Sequence, residues 1–292
     1  MEVSYFPGCT LKQTARNFEI SAISSCKLLG IDLKELTRWN CCGTVYSLST
    51  DDSMHHLAPI RDLIRVREDG FSEVVTLCSM CYNTLKQANG LMRQDPDRLH
   101  KMNDFMYREE DYIPDVEVYH LVTYIKEHLG FDKVREFVKK PLTGLKVAVY
   151  YGCLLLRPDS VKLDDRENPR IMEDLLETLG SEVVDYPYLN ECCGSYHTLG
   201  EKDLVLNRTN RLITEARRDG ADLLVLSCPE CDFNLDYRQK ETQEKYPNFQ
   251  TMPVLYFTQL MNIALGGDLK DCGFELNYID PLPVLRESGI IK

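Results

Sequence analysis

Short runs rich in β-branched and aromatic residues alternate along this chain with longer stretches in which apolar residues recur every three or four positions. The first kind reads as strand and the second as helix. In the first half, an apolar run at 2–6 precedes a helix at about 13–29, where Ala15, Phe18, Ala22, Cys26 and Leu29 share one face. Gly30 stands where a left-handed helix end favours glycine. A strand at 31–36 follows, then a helical region at about 53–69 started or kinked by Pro59 and closed by Gly70. Strands at 74–77 and 116–120 come next, the last leading into a helix that ends at Gly130.

The second half repeats the order. Strands are expected at 145–151, 182–186, 222–227 and 253–256, with helices at about 169–179 and 201–219 and another ending at Gly266. The repeat is also one of residues. VSYFPGC (3–9) matches VAVYYGC (147–153), and REDGFSEVVTLCSMC (67–81) matches RRDGADLLVLSCPEC (217–231). LLGIDLKELTRWNCCG (28–43) matches TLGSEVVDYPYLNECCG (178–194) with one extra residue, and 115–130 resembles 252–266. The chain is therefore expected to hold two homologous α/β domains, 1–143 and 144–292, related by a pseudo-twofold. Each would be a small parallel sheet with helices on both faces.

Cysteines punctuate both copies alike. The first carries Cys9, the doublet Cys41-Cys42 before Gly43, and Cys78-x-x-Cys81. The second carries Cys153, Cys192-Cys193 before Gly194, and Cys228-x-x-Cys231. These positions use ten of twelve cysteines. Each falls just past the C-terminal end of a predicted strand, the edge where open α/β sheets bind ligands. Three β-to-α turns thus bring five thiols to one place in each copy.

Composition narrows the chemistry. The chain has 292 residues, is 43% hydrophobic, and carries a net charge of −12, which argues against binding a nucleic-acid backbone. No run reaches the ~18 apolar residues of a membrane span. MEVSYFPGC has neither a basic region nor an apolar signal segment, so a cytoplasmic protein without a direct membrane span is expected. In such a chain regularly spaced cysteines point to metal or redox chemistry, not disulfides.

Zinc takes four ligands in a tetrahedron, and an ordinary cubane also takes four thiolates. Five thiols, two of them adjacent, suit an iron–sulfur cluster of non-standard shape in which one cysteine bridges irons. The glycine after each doublet permits close backbone approach. Helix N-termini after the turns would stabilise thiolate charge.

The C-x31-CCG-x34-C-x-x-C pattern resembles the cysteine-rich CCG domain family over nearly the whole chain. Two tandem copies, the opening SYFPGCTLKQTARNFE and the closing NYIDPLPVLRESG are similar to the B component of heterodisulfide reductase from methanogenic archaea. That resemblance implies a catalytic component that reduces the mixed disulfide of coenzyme M and coenzyme B to two thiols. It implies two noncubane [4Fe–4S] clusters, one held by Cys9, Cys41, Cys42, Cys78 and Cys81 and the other by Cys153, Cys192, Cys193, Cys228 and Cys231. The implied partners are the ferredoxin-like C component and the flavin-bearing A component of the same enzyme. Two alternatives stay open: an electron relay, as in glycolate and lactate systems that share the domain, and a zinc-stabilised scaffold.

Other residues read more plainly. Cys26 is expected in the core, and Cys272 as a free structural thiol. His197, matching Tyr46 of the first copy, is a candidate proton donor, though a loop-filling role suits it as well. His120 reads as a satisfied buried or edge histidine. The coenzymes are anionic, which makes Lys12, Arg16, Arg157 and Lys162 candidates by position, with solvated surface charge as the alternative. The polar stretch 91–114 reads as a partner surface or a bridge between helix and strand, and the 154–167 insertion as the wall of a pocket or interface.

Overall fold

The computed structural model describes residues 1–44 and 53–292. The first repeat runs β1 (Glu2–Phe6), α1 (Gly8–Leu11), α2 (Arg16–Leu28), β2 (Asp32–Glu35), α3 (Leu57–Glu68), β3 (Glu73–Thr76), α4 (Ser79–Gln94), α5 (Pro96–Phe105), β4 (Glu117–His120), α6 (Leu121–His128) and α7 (Phe131–Phe137). The second runs β5 (Lys146–Val149), α8 (Ile171–Thr178), β6 (Glu182–Val183), α9 (Lys202–Arg218), β7 (Leu223–Leu226), α10 (Pro229–Asp232), a π-turn (Phe233–Tyr237), α11 (Gln239–Lys245), β8 (Val254–Tyr256), α12 (Phe257–Ala264) and α13 (Leu282–Glu287).

Both sheets are four-stranded and wholly parallel, ordered β2-β1-β3-β4 and β6-β5-β7-β8. The inner strand β7 is buried at every position, which is why it reads as an unbroken apolar run, Leu223-Leu224-Val225-Leu226. The outer β2 is largely exposed and correspondingly polar.

The two repeats pack through equivalent helices. α2 lies on α12 and its counterpart α8 lies on α6, the reciprocal contact of a pseudo-twofold. Phe18 stacks on Tyr256 at 4.2 Å between centroids, and the Ser21 and Thr258 hydroxyls meet at 2.7 Å. The segment after α12 then crosses to the first repeat, where Ser24 Oγ donates to Asp271 at 2.9 Å and Asn17 Nδ2 to Asn277 at 3.3 Å.

Two expectations need adjusting. The helix expected from residue 13 starts at Arg16, because the chain first makes the one-turn α1 after Gly8 at φ +71°. The strand expected over 182–186 shortens to Glu182–Val183, with one further bond from the Val184 N–H to Val147 O at 3.0 Å. Pro59 falls in the first turn of α3, where its missing N–H costs nothing.

Candidate metal centre

The sheet edges place every motif cysteine at a β-to-α turn. Cys9 lies in α1 directly after β1, and each doublet follows the outer strand of its sheet. Cys78 and Cys228 are the N-caps of α4 and α10, both extended, at ψ 124° and 119°. Cys81 and Cys231 fall in the first turns of those helices, where free N–H groups and the helix dipole favour negative charge.

The five thiols of each repeat interact in the same order. In the first, Cys9 meets Cys41 at 3.8 Å between sulfurs and Cys42 meets Cys81 at 3.6 Å, while Cys41 and Cys78 shift the acidities of Cys42 and Cys81 beside them. In the second the order is Cys153, Cys192, Cys193, Cys231, Cys228. The two sets approach each other at the repeat interface, where Cys78 and Cys228 shift one another's acidity. Beside them the hydroxyls of Ser79 and Ser227 lie 3.0 Å apart. The ten cysteines singled out by spacing therefore gather at the strand ends of the two repeats, with measured sulfur contacts at Cys9–Cys41 and Cys42–Cys81.

Hydrogen bonds between thiols spread their acidities. Bonds from Cys228 and Cys81 outweigh burial and bring Cys78 down to about 5. Bonds from Cys153 and Cys193, with those of Gly194 N–H, do the same for Cys192. A sulfur that gives up its proton readily is the form a metal takes.

The backbone leaves room for more than sulfur. A Cβ on Gly8 would come 2.8 Å from Cys81 Sγ, and one on Gly152 would come 3.3 Å from Cys231 Sγ. Both glycines have positive φ, +71° and +65°, so the bare backbone forms a cradle against each C-x-x-C pair. Among the described residues, no three His, Cys, Asp or Glu donors close as they would around one ion. Five cysteines per repeat exceed the four ligands of a tetrahedral zinc, a donor set that fits a larger inorganic core.

Different residues hold the two doublets. In the first, the Asn40 N–H donates to Asp62 at 2.8 Å and its amide donates to Cys41 O at 3.0 Å. Burial pushes the Asp62 carboxyl up to about 8. In the second, Arg208 donates to Cys192 O at 3.0 Å while paired with Glu191. Asn234 Nδ2 reaches Cys193 Sγ at 3.6 Å. Sequence reasoning missed Asp62, Arg208 and Asn234, which lie 16 to 41 residues from the groups they hold. The one signal for Asn234 was a polar residue repeated three places after each C-x-x-C pair: Thr84 and Asn234.

The surroundings also differ. Cys9 and Cys41 are exposed, whereas Cys153 and Cys192 are half-buried. The inner three sulfurs match closely, with Cys42 and Cys193 each 2% exposed, Cys78 and Cys228 4%, and Cys81 and Cys231 6%. Beside Cys41 opens an apolar cavity of about 560 Å³, walled by Met54, Leu57, Phe105, Met106 and Tyr107 with Arg108 at its rim. Its outer wall comes from α5 and the residues after it, part of the 91–114 stretch, pinned by Arg65–Glu109 at 2.5 Å. The 154–167 insertion docks instead on the first repeat. Asn83 donates to Leu154 O at 2.7 Å and to Arg157 O at 2.6 Å, and Tyr82 donates to Val161 O at 2.9 Å.

The secondary candidates fall outside these two sets. Cys26 is fully buried in the core. Cys272, also buried, accepts from Asn262 at 3.3 Å. His120 donates from Nε2 to Leu77 O at 2.9 Å, and burial lowers it to about 4. His197 is exposed on the short turn after Gly194, and Tyr46 lies outside the described residues. Lys12 is paired with Glu19 and Glu35 at 2.7 and 2.6 Å, and Lys162 with Asp159 at 3.7 Å; Arg16 and Arg157 are exposed. Among the described residues, no helix is long and apolar enough to cross a membrane.

Comparison with known proteins agrees with this geometry. A cysteine-rich domain family, CCG, matches residues 3–86 and again 147–236. The chain is 31% identical, over 96% of its length and 97% of the relative's, to the 8-methylmenaquinol:fumarate reductase membrane anchor subunit of Wolinella succinogenes. It is 28% identical, over 98% of its length and 96% of the relative's, to the B component of a ferredoxin/F420H2-dependent CoB–CoM heterodisulfide reductase of Methanosarcina acetivorans. A protein of Archaeoglobus profundus described as like the heterodisulfide reductase B component is 29% identical over 90% of each chain. A crystal structure of a hypothetical protein from Helicobacter pylori shares the fold at TM-score 0.77 and 14% identity, covering 95% of this chain and 51% of that one. With two matched copies, a full-length likeness to heterodisulfide reductase B components and ten cysteines in register, the chain belongs to the cysteine-rich CCG domain family.

Proposed function

We propose that the chain is the catalytic iron–sulfur subunit of a heterodisulfide reductase, acting on the coenzyme M–coenzyme B disulfide. The observation that carries this reading is the gathering of five cysteines at the strand ends of each repeat, with Cys9–Cys41 and Cys42–Cys81 in sulfur contact and Ser79 meeting Ser227 between the repeats. In this reading Cys9, Cys41, Cys42, Cys78 and Cys81 hold one noncubane [4Fe–4S] cluster, and Cys153, Cys192, Cys193, Cys228 and Cys231 hold the second. Each cluster, when bound, supplies one electron, and a disulfide needs two to part into two thiols.

The protein supplies position and exclusion of water. The inner sulfurs are kept dry by the packing of α4 and α10 against each other's repeat, which keeps both centres in reach of one substrate. The exposed Cys41 and the apolar cavity beside it suit an aliphatic substrate arm, with Arg108 at the rim for an acidic end. Each product thiolate takes up one proton, and the exposed His197 stands beside the second doublet where such a proton would enter. In this reading the chain works in the cytoplasm, receiving electrons from a flavin-bearing A component by way of a ferredoxin-like C component.

A second reading has an observation of its own. Full-length similarity, at 31% identity, to the Wolinella anchor protein favours a relay between a quinol and a reductase partner. Anaerobically prepared protein separates the two. The first reading expects about eight irons with matching sulfide per chain, and reduced clusters that are oxidised by the heterodisulfide with release of two thiols. Clusters that stay reduced with the heterodisulfide but are oxidised by a quinone would reject it for the relay. One cluster per chain, or zinc in its place, would reject both.

A further inference from the structure

Each C-x-x-C pair is followed three residues later by a buried polar side chain, Thr84 in one repeat and Asn234 in the other. Neither is used by the packing of its own helix. Thr84 stands at the matching helical position near the Cys42 sulfur, whose pKa it helps to lower. Asn234 Nδ2 reaches the Cys193 sulfur at 3.6 Å and the Cys193 carbonyl at 3.4 Å. The two repeats thus direct different side chains from one helical position to the same sulfur, the second cysteine of each doublet.

In the second repeat the surroundings are built around that contact. Thr198 Oγ1 donates to Asn234 Oδ1 at 3.0 Å, and the Cys193 carbonyl, which can only accept, keeps the Nδ2 end of the amide toward the sulfur. The helix opens at this point into the π-turn Phe233–Tyr237, a form often found at functional sites. The Asn234 carbonyl within that turn accepts from Thr209 Oγ1 at 2.8 Å. Thr84 is 3% exposed and Asn234 is fully buried, so water does not compete for the bond.

We propose that Thr84 and Asn234 are positioning residues that set the reduction potentials of the first and second centres, each by donating a hydrogen bond to the second cysteine of its doublet. The inference rests on the reading that these cysteines hold iron–sulfur clusters. Donors to cluster sulfur stabilise the more negative, reduced state and raise the potential. An amide held by a second partner, as in Asn234, and a single hydroxyl, as in Thr84, give two otherwise similar centres separate settings.

The test is an EPR-monitored redox titration of the anaerobically prepared full chain, with iron and sulfide measured on each sample. Thr84→Val and Asn234→Leu remove the donor at nearly constant volume; Thr84→Ser and Asn234→Thr keep one. The two donorless variants are expected to weaken reduction of their own centre about tenfold, ~59 mV for a one-electron couple. The other centre should not move, and the donor-keeping variants should stay near the wild type. Equal potentials in the wild type, Thr84→Val and Asn234→Leu overturn the inference, as do equal shifts in donorless and donor-keeping variants. Absence of iron and sulfide from the wild type would instead overturn the cluster reading beneath it.

Discussion

The two sulfur sites are copies with one half kept and one half changed. The three inner thiols of each are buried to the same degree, sit at the same strand ends and helix caps, and approach each other at the repeat interface. The outer two differ. In the first repeat Cys9 and Cys41 open to the surface beside an apolar cavity, and the doublet hangs from the buried acid Asp62. In the second, Cys153 and Cys192 are half covered and the doublet hangs from the cation Arg208. What the molecule needs twice is the inner arrangement; what it needs once is an opening. In the proposed reading, two equivalent electron stations with one door suit a reaction in which two electrons reach one substrate.

The strongest way to break the comparison is to delete the shared part. Cys42→Ser and Cys193→Ser remove matching inner sulfurs, each a link between outer and inner thiols. Each is expected to lower iron and sulfide to about half the wild-type content and to abolish two-electron substrate reduction. Loss of both centres from either variant would mean that the sites assemble as one unit. The cradle glycines come next. Ala at Gly8 would place its methyl 2.8 Å from Cys81 Sγ, and Ala at Gly152 would place it 3.3 Å from Cys231 Sγ, with positive φ at both. Because the backbone strain is shared, the difference comes from the sulfur contact. Gly8→Ala should lose more of its own centre's iron than Gly152→Ala does, and equal losses would show that backbone strain dominates.

Much of this symmetry was legible in the chain's residues alone. Val74, Val75 and Leu223–Leu226 declare buried parallel strands because both faces are covered, and paired Cys, Gly and strand positions fix the repeat. The doublets and C-x-x-C pairs carried the site because strand ends in a parallel sheet must share an edge. The asymmetry was not legible. Asp62 and Arg208 lie on amphipathic helices where an acid or arginine ordinarily faces water, and only the long-range fold turns them onto the doublets. α5 was read within a polar stretch, since its one buried residue, Met102, leaves almost no apolar face to see. The crossing of the chain after α12 to the first repeat has no local signature at all; Ser24 and Asp271 are 247 residues apart.

The exposure difference gives a kinetic test. Cys9 and Cys41 are exposed and their counterparts half-buried, so an iron chelator added to loaded protein should strip the first centre several-fold faster than the second. In cluster-free protein, brief iodoacetamide treatment followed by peptide mass analysis should find Cys9 and Cys41 modified ahead of Cys153 and Cys192. Uniform loss and uniform labelling would indicate that the opening beside Cys41 is covered in solution.

The smallest effect lies under the first turn of the second repeat. Tyr151, two residues before Cys153, donates its hydroxyl to Glu173 and accepts from the Met172 N–H at 2.9 Å. Burial pushes the Glu173 carboxyl from 4.5 up to about 7. The first repeat has a related pair, Tyr5 donating to Glu19 at 3.2 Å, but there Lys12 stands 2.7 Å from the carboxylate. A carboxyl whose pKa is higher folded than unfolded binds an extra proton only in the folded chain. Its contribution is therefore full below about pH 4.5 and is lost as pH rises through 7. Glu173→Gln keeps an acceptor for the Tyr151 hydroxyl and removes the titration. Its urea-unfolding stability should fall less steeply than the wild type's between pH 5 and 7, by an amount on the order of 2 kcal/mol across the window. Parallel slopes would mean that Glu173 stays charged and that water reaches it beneath the second site.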